Sequence, residues 1–407
     1  MVSELHTRPA LVLSGGGTRG AYEVGVVAGI VEALRRTASD PPLFRIFAGT
    51  SVGAINVAYL AANAHHGDLG IDRLIEIWTD LRLEDHARLN SSSLLRWSSR
   101  IHRLVEGIVE PDAHGKSILD TRNLERIVTD AVDWSALHRN IDEGVVRSVL
   151  IAALHVETGR TTMFVQQAPG EDFRPTRDRR RRARLARIDA GHVLASAAIP
   201  LLFPSRWIDD GYYCDGGLRF NTPMAPAIRA GADKLVVVSP MFHEERGSLP
   251  PPPEAGPDDD LSVTFLAGKL LNALLLDPVS YDLSVLRRLN ILFEVLEDVL
   301  PPEDLERVQK VLERDRGVAY RRIEPLVFSP SRNLGKVAGI YIRDRLRATN
   351  LNVLVRKLIE RATRKAPGQE ADWASYLLFD GGFARELIDL GRSDALARAD
   401  AIREYFS

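Results

Sequence analysis

Residues 10–53 read ALVLSGGGTRGAYEVGVVAGIVEALRRTASDPPLFRIFAGTSVG, and the order of apolar runs, glycine turns and helical spacing in them decides the fold class. Ala10–Ser14 is a short apolar run, Gly15–Gly20 is a glycine loop, and Ala21–Arg36 carries helical spacing through Val24, Val27, Val31 and Leu34. Pro41 and Pro42 then break the chain. Phe44–Ala48 reads as a second buried strand, followed by the turn Gly49–Gly53 and an alanine-rich helix from about Ile55 to Ala64. Strand and helix alternating through short connections predict a parallel sheet covered on both faces.

Outward from this stretch, Leu69–Leu83 and Leu119–Leu137 read as amphipathic helices, and Arg147–Leu154, Thr161–Gln166 and Leu235–Pro240 as strands. Residues 247–260 are GSLPPPPEAGPDDD, whose successive prolines favour an extended, solvated connection. Helical periodicity resumes near Leu261 and continues to Val318, Pro325–Ser329 reads as one more strand, and the remainder is again helical. The expected organisation is a core over residues 1–246, a proline-rich linker over 247–260, and a mostly helical elaboration over 261–407. The late strand needs a sheet partner, which favours packing of that elaboration on the same domain.

The chain has 407 residues, 45% hydrophobic and 27% charged, enough for a sizeable core and against wholesale disorder. Basic residues number 53 against 55 acidic, a net charge of −2 that argues against a dedicated nucleic-acid binder. The single cysteine, Cys214, excludes an intrachain disulfide and a cysteine-rich zinc site, and fits a reducing compartment. No signal peptide is expected from the first residues, and no run of 18 apolar residues marks a membrane-spanning helix. The expected setting is cytoplasmic.

Gly15-Gly16-Gly17-Thr18-Arg19-Gly20 contains the spacing GxGxxG between a strand and a helix, the context of a dinucleotide-binding fingerprint. That reading also requires a carboxylate at the end of the second strand to hold a ribose. The second strand ends Phe47-Ala48-Gly49-Thr50-Ser51, with none. The loop can instead be a bank of backbone N–H donors for a developing oxyanion, or a tight turn that needs glycine. Gly115-Lys116-Ser117 resembles the end of a phosphate-binding loop, but Glu110 stands where that loop needs glycine, so it reads as a surface turn.

Gly49-Thr50-Ser51-Val52-Gly53 fits GxSxG between an apolar strand and an apolar helix. Such a sharp turn holds a serine Oγ at the carboxyl end of a sheet, and the helix behind it favours a developing anion. The bland alternative is an ordinary strand-to-helix loop. A serine hydroxyl is a poor nucleophile until a base takes its proton. Of the ten histidines only His243 follows Asp215, as a Ser–acid–His order would require. One strand precedes the elbow strand here, whereas an α/β-hydrolase has several. The other base is Asp215 itself, in Cys214-Asp215-Gly216-Gly217, where two glycines let the carboxylate approach another backbone closely. A second copy, Asp380-Gly381-Gly382, lies within helical sequence and reads as a cap or turn.

Together, Gly-Gly-Gly-x-Arg-Gly after the first strand, Gly-x-Ser-x-Gly after the second, and Asp-Gly-Gly past Ala195-Ser196-Ala197-Ala198-Ile199-Pro200 resemble the patatin-like phospholipases. Asn221-Thr222-Pro223 and Gly231-Ala232-Asp233 extend the resemblance, which covers roughly Ala10 to Pro240. It implies an α/β class chain with a three-layer α/β/α fold, a mostly parallel central sheet, and hydrolysis of lipid acyl esters by a Ser–Asp dyad. Carried over, Ser51 is the nucleophile and Asp215 the base. The amides of Gly15, Gly16 and Gly17 form the oxyanion hole beside Gly20, and Arg19 supports a negative lipid group. Gly49, Gly53, Gly216 and Gly217 shape the two turns, and no metal or organic cofactor is implied. Rival readings are an acyltransferase using the same site, a dinucleotide-binding module, and a catalytically idle membrane-binding protein.

Arg174, Arg177, Arg179, Arg180, Arg181, Arg182, Arg184 and Arg187 place eight arginines in fourteen residues of a nearly neutral chain. They read as a solvated face or as a peripheral contact with an anionic membrane surface, where each basic residue contributes about 1 kcal/mol. No aromatic residue interleaves with them, which argues against nucleic acid.

Overall fold

Leu11 and Leu13 point to one side of the first strand and Ala10 and Val12 to the other, and all four are fully buried. A strand buried on both faces has to lie inside a covered sheet. The computed structural model describes residues 7–82, 122–200, 203–242, 278–320, 322–344 and 374–407. The Gly115-Lys116-Ser117 turn, His243 and the proline-rich stretch 247–260 fall outside these residues.

The strands are β1 (Pro9–Leu13), β2 (Ile46–Thr50), β3 (Ser148–His155), β4 (Thr161–Gln167), β5 (Arg181–Leu185), β6 (Arg206–Ile208), β7 (Gly211–Asp215), β8 (Lys234–Val238) and β9 (Pro325–Phe328). They form one sheet in the order β5-β4-β3-β2-β1-β8-β9, with β7 paired to β3 and β6 to β7. The five strands from β3 to β9 along that order run parallel. Antiparallel pairing enters at β3–β4, β3–β7 and β6–β7.

Helices α1 (Gly20–Ala33) and α2 (Val52–Ala62) follow β1 and β2 and cover one face of the sheet. There Leu11, Leu13, Val236 and Val238 pack with Val24, Val27, Val57, Phe383 and Leu387. Ala10, Val12, Leu235 and Val237 face the opposite layer, with Phe220, Met224 and Ala227. Each fully buried Val or Leu contributes about 1.5–3 kcal/mol over exposure. The alternation therefore builds the mostly parallel sheet covered on both faces that the residue pattern led us to expect, in the three-layer α/β/α arrangement that the resemblance implies. The late strand joins it, since Pro325–Phe328 pairs parallel with β8.

Three local readings change. The helix expected over Leu119–Leu137 is two, Arg122–Ala131 and Trp134–Asp142, because the Asp133 side chain accepts the Ala136 N–H and starts a new helix. The late helical periodicity is likewise divided, into Pro278–Val299 and Pro302–Arg316, at a pair of prolines that restart the chain. Part of the arginine cluster is β5, a strand on the sheet edge paired with β4. Among the described residues, no helix is long and apolar enough to cross a membrane.

Candidate active site

Ser51 stands between β2 and α2 with φ 54° and ψ −127°. A non-glycine residue in such a conformation costs on the order of 1–3 kcal/mol, which the surrounding structure must over-determine. The start of α2 lies so close to the end of β1 that a Cβ on Gly53 would lie 2.5 Å from the Leu13 carbonyl oxygen. The Ser51 N–H donates to Ser196 Oγ at 2.9 Å, and Ser196 Oγ donates to the Ala152 carbonyl at 2.6 Å. The helix Ala190–Ser196 thus pins the elbow to β3.

β3 also explains how two residues 164 apart in sequence meet. Thr50 is the register partner of Ala152, and Asp215 that of Ala153. Ser51, one residue past Thr50, therefore emerges beside the end of β7. Its Oγ donates to Asp215 Oδ2 at 2.6 Å, and both residues are buried. The other carboxylate oxygen, Oδ1, accepts the Gly217 N–H at 2.7 Å, and the Asp215 N–H donates to the Ala198 carbonyl at 2.9 Å. Burial pushes the Asp215 carboxyl from the usual 3.8 up to about 7, against the opposing pull of the Ser51 and Gly217 hydrogen bonds. Among the described residues no histidine bonds to either group. The neighbouring Cys214 thiol is pushed up to about 12 by its own burial and by the Asp215 charge.

The glycine loop lies against this pair, since a Cβ on Gly15 would sit 3.0 Å from Ser51 Cβ. Gly15 is bound to Asn221 in both directions: its N–H donates to Oδ1 at 2.9 Å, and its carbonyl accepts from Nδ2 at 3.3 Å. Gly16 leads into the 3-10 turn Gly17–Arg19, and Gly20 begins α1. Arg19 is 3% exposed, with Nε donating to Ser375 Oγ at 2.8 Å and Nη1 to the Tyr376 hydroxyl at 3.0 Å. Gly216 and Gly217 form a 3-10 turn directly after Asp215, while Gly49 lies in β2 and Gly53 in the first turn of α2. Asp380 caps the helix Gly381–Leu396 by accepting the Gly382 and Phe383 N–H groups.

The structure thus brings Ser51, Asp215 and the glycine loop to one end of the sheet, and holds Gly15 and Arg19 by internal hydrogen bonds. Ser196 and Asn221 stood inside quoted motifs, and buried polar residues beside a nucleophile elbow are the signal that would have marked them. Ser375 and Tyr376, more than 350 residues from the loop they touch, gave no local signal. Among the described residues, no group of three or more His, Cys, Asp or Glu side chains is placed to hold a metal ion.

A doubly covered α/β sheet, with a serine on a strand-to-helix elbow bonded to a buried aspartate, defines a narrow class of proteins. The chain belongs to the patatin-like phospholipase family, whose model matches residues 11–228. It is 26% identical over 223 residues to a cGAMP-activated phospholipase of Escherichia coli (strain TW11681). That match covers 52% of each protein, so the chain spans about half the length of this curated relative. Among solved structures, VipD from Legionella pneumophila is similar at 13% identity and a TM-score of 0.32, over 94% of this chain and 67% of that one. Human GIVD cytosolic phospholipase A2, in complex with a methyl γ-linolenyl fluorophosphonate, is similar at 12% identity and a TM-score of 0.38, over 98% and 58% respectively.

Proposed function

We propose that the chain is a lipid acyl hydrolase of phospholipase A or lysophospholipase type, with Ser51 as nucleophile and Asp215 as its base. The 2.6 Å hydrogen bond from Ser51 Oγ to Asp215 Oδ2 carries this reading. Ionised Asp215 takes the hydroxyl proton as Oγ attacks the ester carbonyl carbon, and the carbonyl electron pair moves onto oxygen. The Gly16 and Gly17 amides, at the 3-10 turn that leads into α1, receive that oxyanion. Gly15, bonded to Asn221, fixes where the loop begins. Collapse of the tetrahedral species expels the alcohol, which takes the proton from Asp215. Water, deprotonated by the same carboxylate, then releases the fatty acid from the acyl-enzyme.

Peripheral docking on an anionic membrane, with a cytoplasmic location, belongs to the same proposal and draws on the exposed Arg177, Arg179 and Arg187. Hydrolysis of a phospholipid panel, followed by product mass spectrometry, tests the activity. Because the curated relative is described as cGAMP-activated, the assay is run with and without cGAMP. Released fatty acid that disappears in Ser51→Ala supports hydrolysis. Acyl transfer to an added alcohol, with no free acid, replaces it by the transferase reading. Unchanged release in Ser51→Ala removes the nucleophile assignment.

A further inference from the structure

We propose that Ser375 and Tyr376 are positioning residues for the glycine loop, so that a segment outside the family-matched residues 11–228 sets the geometry of the oxyanion donors. This rests on the oxyanion-hole reading of that loop.

Five contacts carry it, one of them with the loop backbone itself. Gly17 has φ +57°, and a Cβ there would run into the Tyr376 carbonyl oxygen, so the two backbones are in direct contact. Thr18 Oγ1 donates to that same carbonyl at 3.2 Å. Arg19 reaches past it to Ser375 Oγ at 2.8 Å and to the Tyr376 hydroxyl at 3.0 Å. Its guanidinium carbon stands 3.9 Å from the Tyr376 ring centroid, a cation–π distance. Every residue of the turn Gly17–Arg19 therefore touches Tyr376.

Burial makes these contacts rigid rather than incidental. Ser375 and Tyr376 are fully buried, as is Thr18, and hydrogen bonds away from water are electrostatically stronger than those at a surface. The opposite flank of the loop is held by Asn221 on Gly15. Gly16 lies in the chain between the two anchored positions, Gly15 and Gly17. An oxyanion donor works only when aimed at the position the developing charge will occupy, and small misplacements are expensive. Release of the Tyr376 side would let the Gly16 and Gly17 amides drift while Ser51 and Asp215, on other elements, stayed in place. The consequence is a fall in turnover without loss of substrate affinity.

The experiment compares kcat and KM for a short-chain nitrophenyl ester in the full chain and its variants. Tyr376→Phe removes the hydroxyl and keeps the ring. It is expected to lower kcat about tenfold with KM nearly unchanged, and Ser375→Ala with Tyr376→Phe about 100-fold. Thr18→Val is expected to lower kcat, and Thr18→Ser, which restores a hydroxyl, to recover it. Tyr22→Phe is the control, because it removes the tyrosine hydroxyl bond to Asp394 at 3.0 Å away from the loop. It should lower the unfolding temperature while kcat holds. A double variant that keeps the parental kcat overturns the proposal, as does one that loses kcat only as far as it unfolds. Should that variant not fold, equal kcat in Thr18→Val and Thr18→Ser overturns it instead. Ser51→Ala separates the two levels: retained hydrolysis there defeats the underlying site reading, whereas an inactive Ser51→Ala beside an unimpaired clamp variant defeats the clamp alone.

Discussion

The Asp215 carboxyl is fully buried, and its proton affinity follows from that. A base must be ionised to accept the Ser51 proton, and burial raises this one from 3.8 to about 7. The rate kcat/KM for a soluble ester is therefore expected to rise with pH through an apparent pKa near 7 and to level off above it. A profile already flat from acidic pH would mean that another group is the base. The same shift has a stability consequence. The folded protein keeps this proton up to about pH 7, whereas the unfolded chain gives it up near 3.8. Folding thus binds the extra proton between those values, and stability falls as pH rises across that window. Asp215→Asn has no such loss, so it is expected to be stabilised relative to the parent above neutral pH, by on the order of 4 kcal/mol. The difference should shrink as the medium is acidified toward the unfolded value. Urea unfolding on both sides of the window measures it, and a pH-independent difference would contradict the buried, proton-holding carboxyl.

Among the elements, β3 does the assembling, because its consecutive residues Ala152 and Ala153 pair with Thr50 and Asp215. This is the part that local sequence cannot express. Glycines, a serine after a strand and an aspartate before two glycines each carry a short-range signal, so both candidate turns were readable. Their meeting depends on register with a strand about a hundred residues from the elbow, and nothing local encodes that. In the β6–β7 hairpin, β6 escaped for its length of three residues, Arg206–Ile208. β5 escaped because five residues containing three arginines do not read as a strand. Tertiary structure explains those arginines: Arg184 pairs with Asp209 at 2.7 Å and Arg182 with Asp210 at 3.3 Å. Arg182 Nε also donates to Thr162 on β4 at 2.8 Å. Changing Arg182 and Arg184 to Gln is expected to cost about 1–2 kcal/mol of stability, after discounting partly exposed pairs. Vesicle binding should respond instead to Arg177, Arg179 and Arg187, which are exposed. Their replacement by Gln should weaken binding to anionic vesicles at low salt and leave soluble-ester turnover intact. Equal vesicle affinity would return the cluster to a solvated face.

For the whole molecule, the C-terminal residues are bound into the catalytic layer. Tyr22 on α1 bonds to Asp394, Glu32 pairs with Arg392 at 2.6 Å, and the Tyr405 hydroxyl accepts the Leu235 N–H of β8 at 2.7 Å. Leu326, Leu334, Phe383 and Leu387 share one apolar cluster with α1 and α2. We propose that the regions before and after residues 247–260 unfold together. Calorimetry should then show one cooperative transition, and two separable transitions would divide them. The claim on which the rest depends is that Ser51, activated by Asp215, is the nucleophile. Peptide mapping by mass spectrometry after treatment with a fluorophosphonate tests it most directly. The expected result is a single adduct on Ser51, formed far more slowly in Asp215→Asn and absent in Ser51→Ala. An adduct on another serine, or labelling that persists in Ser51→Ala, would contradict it.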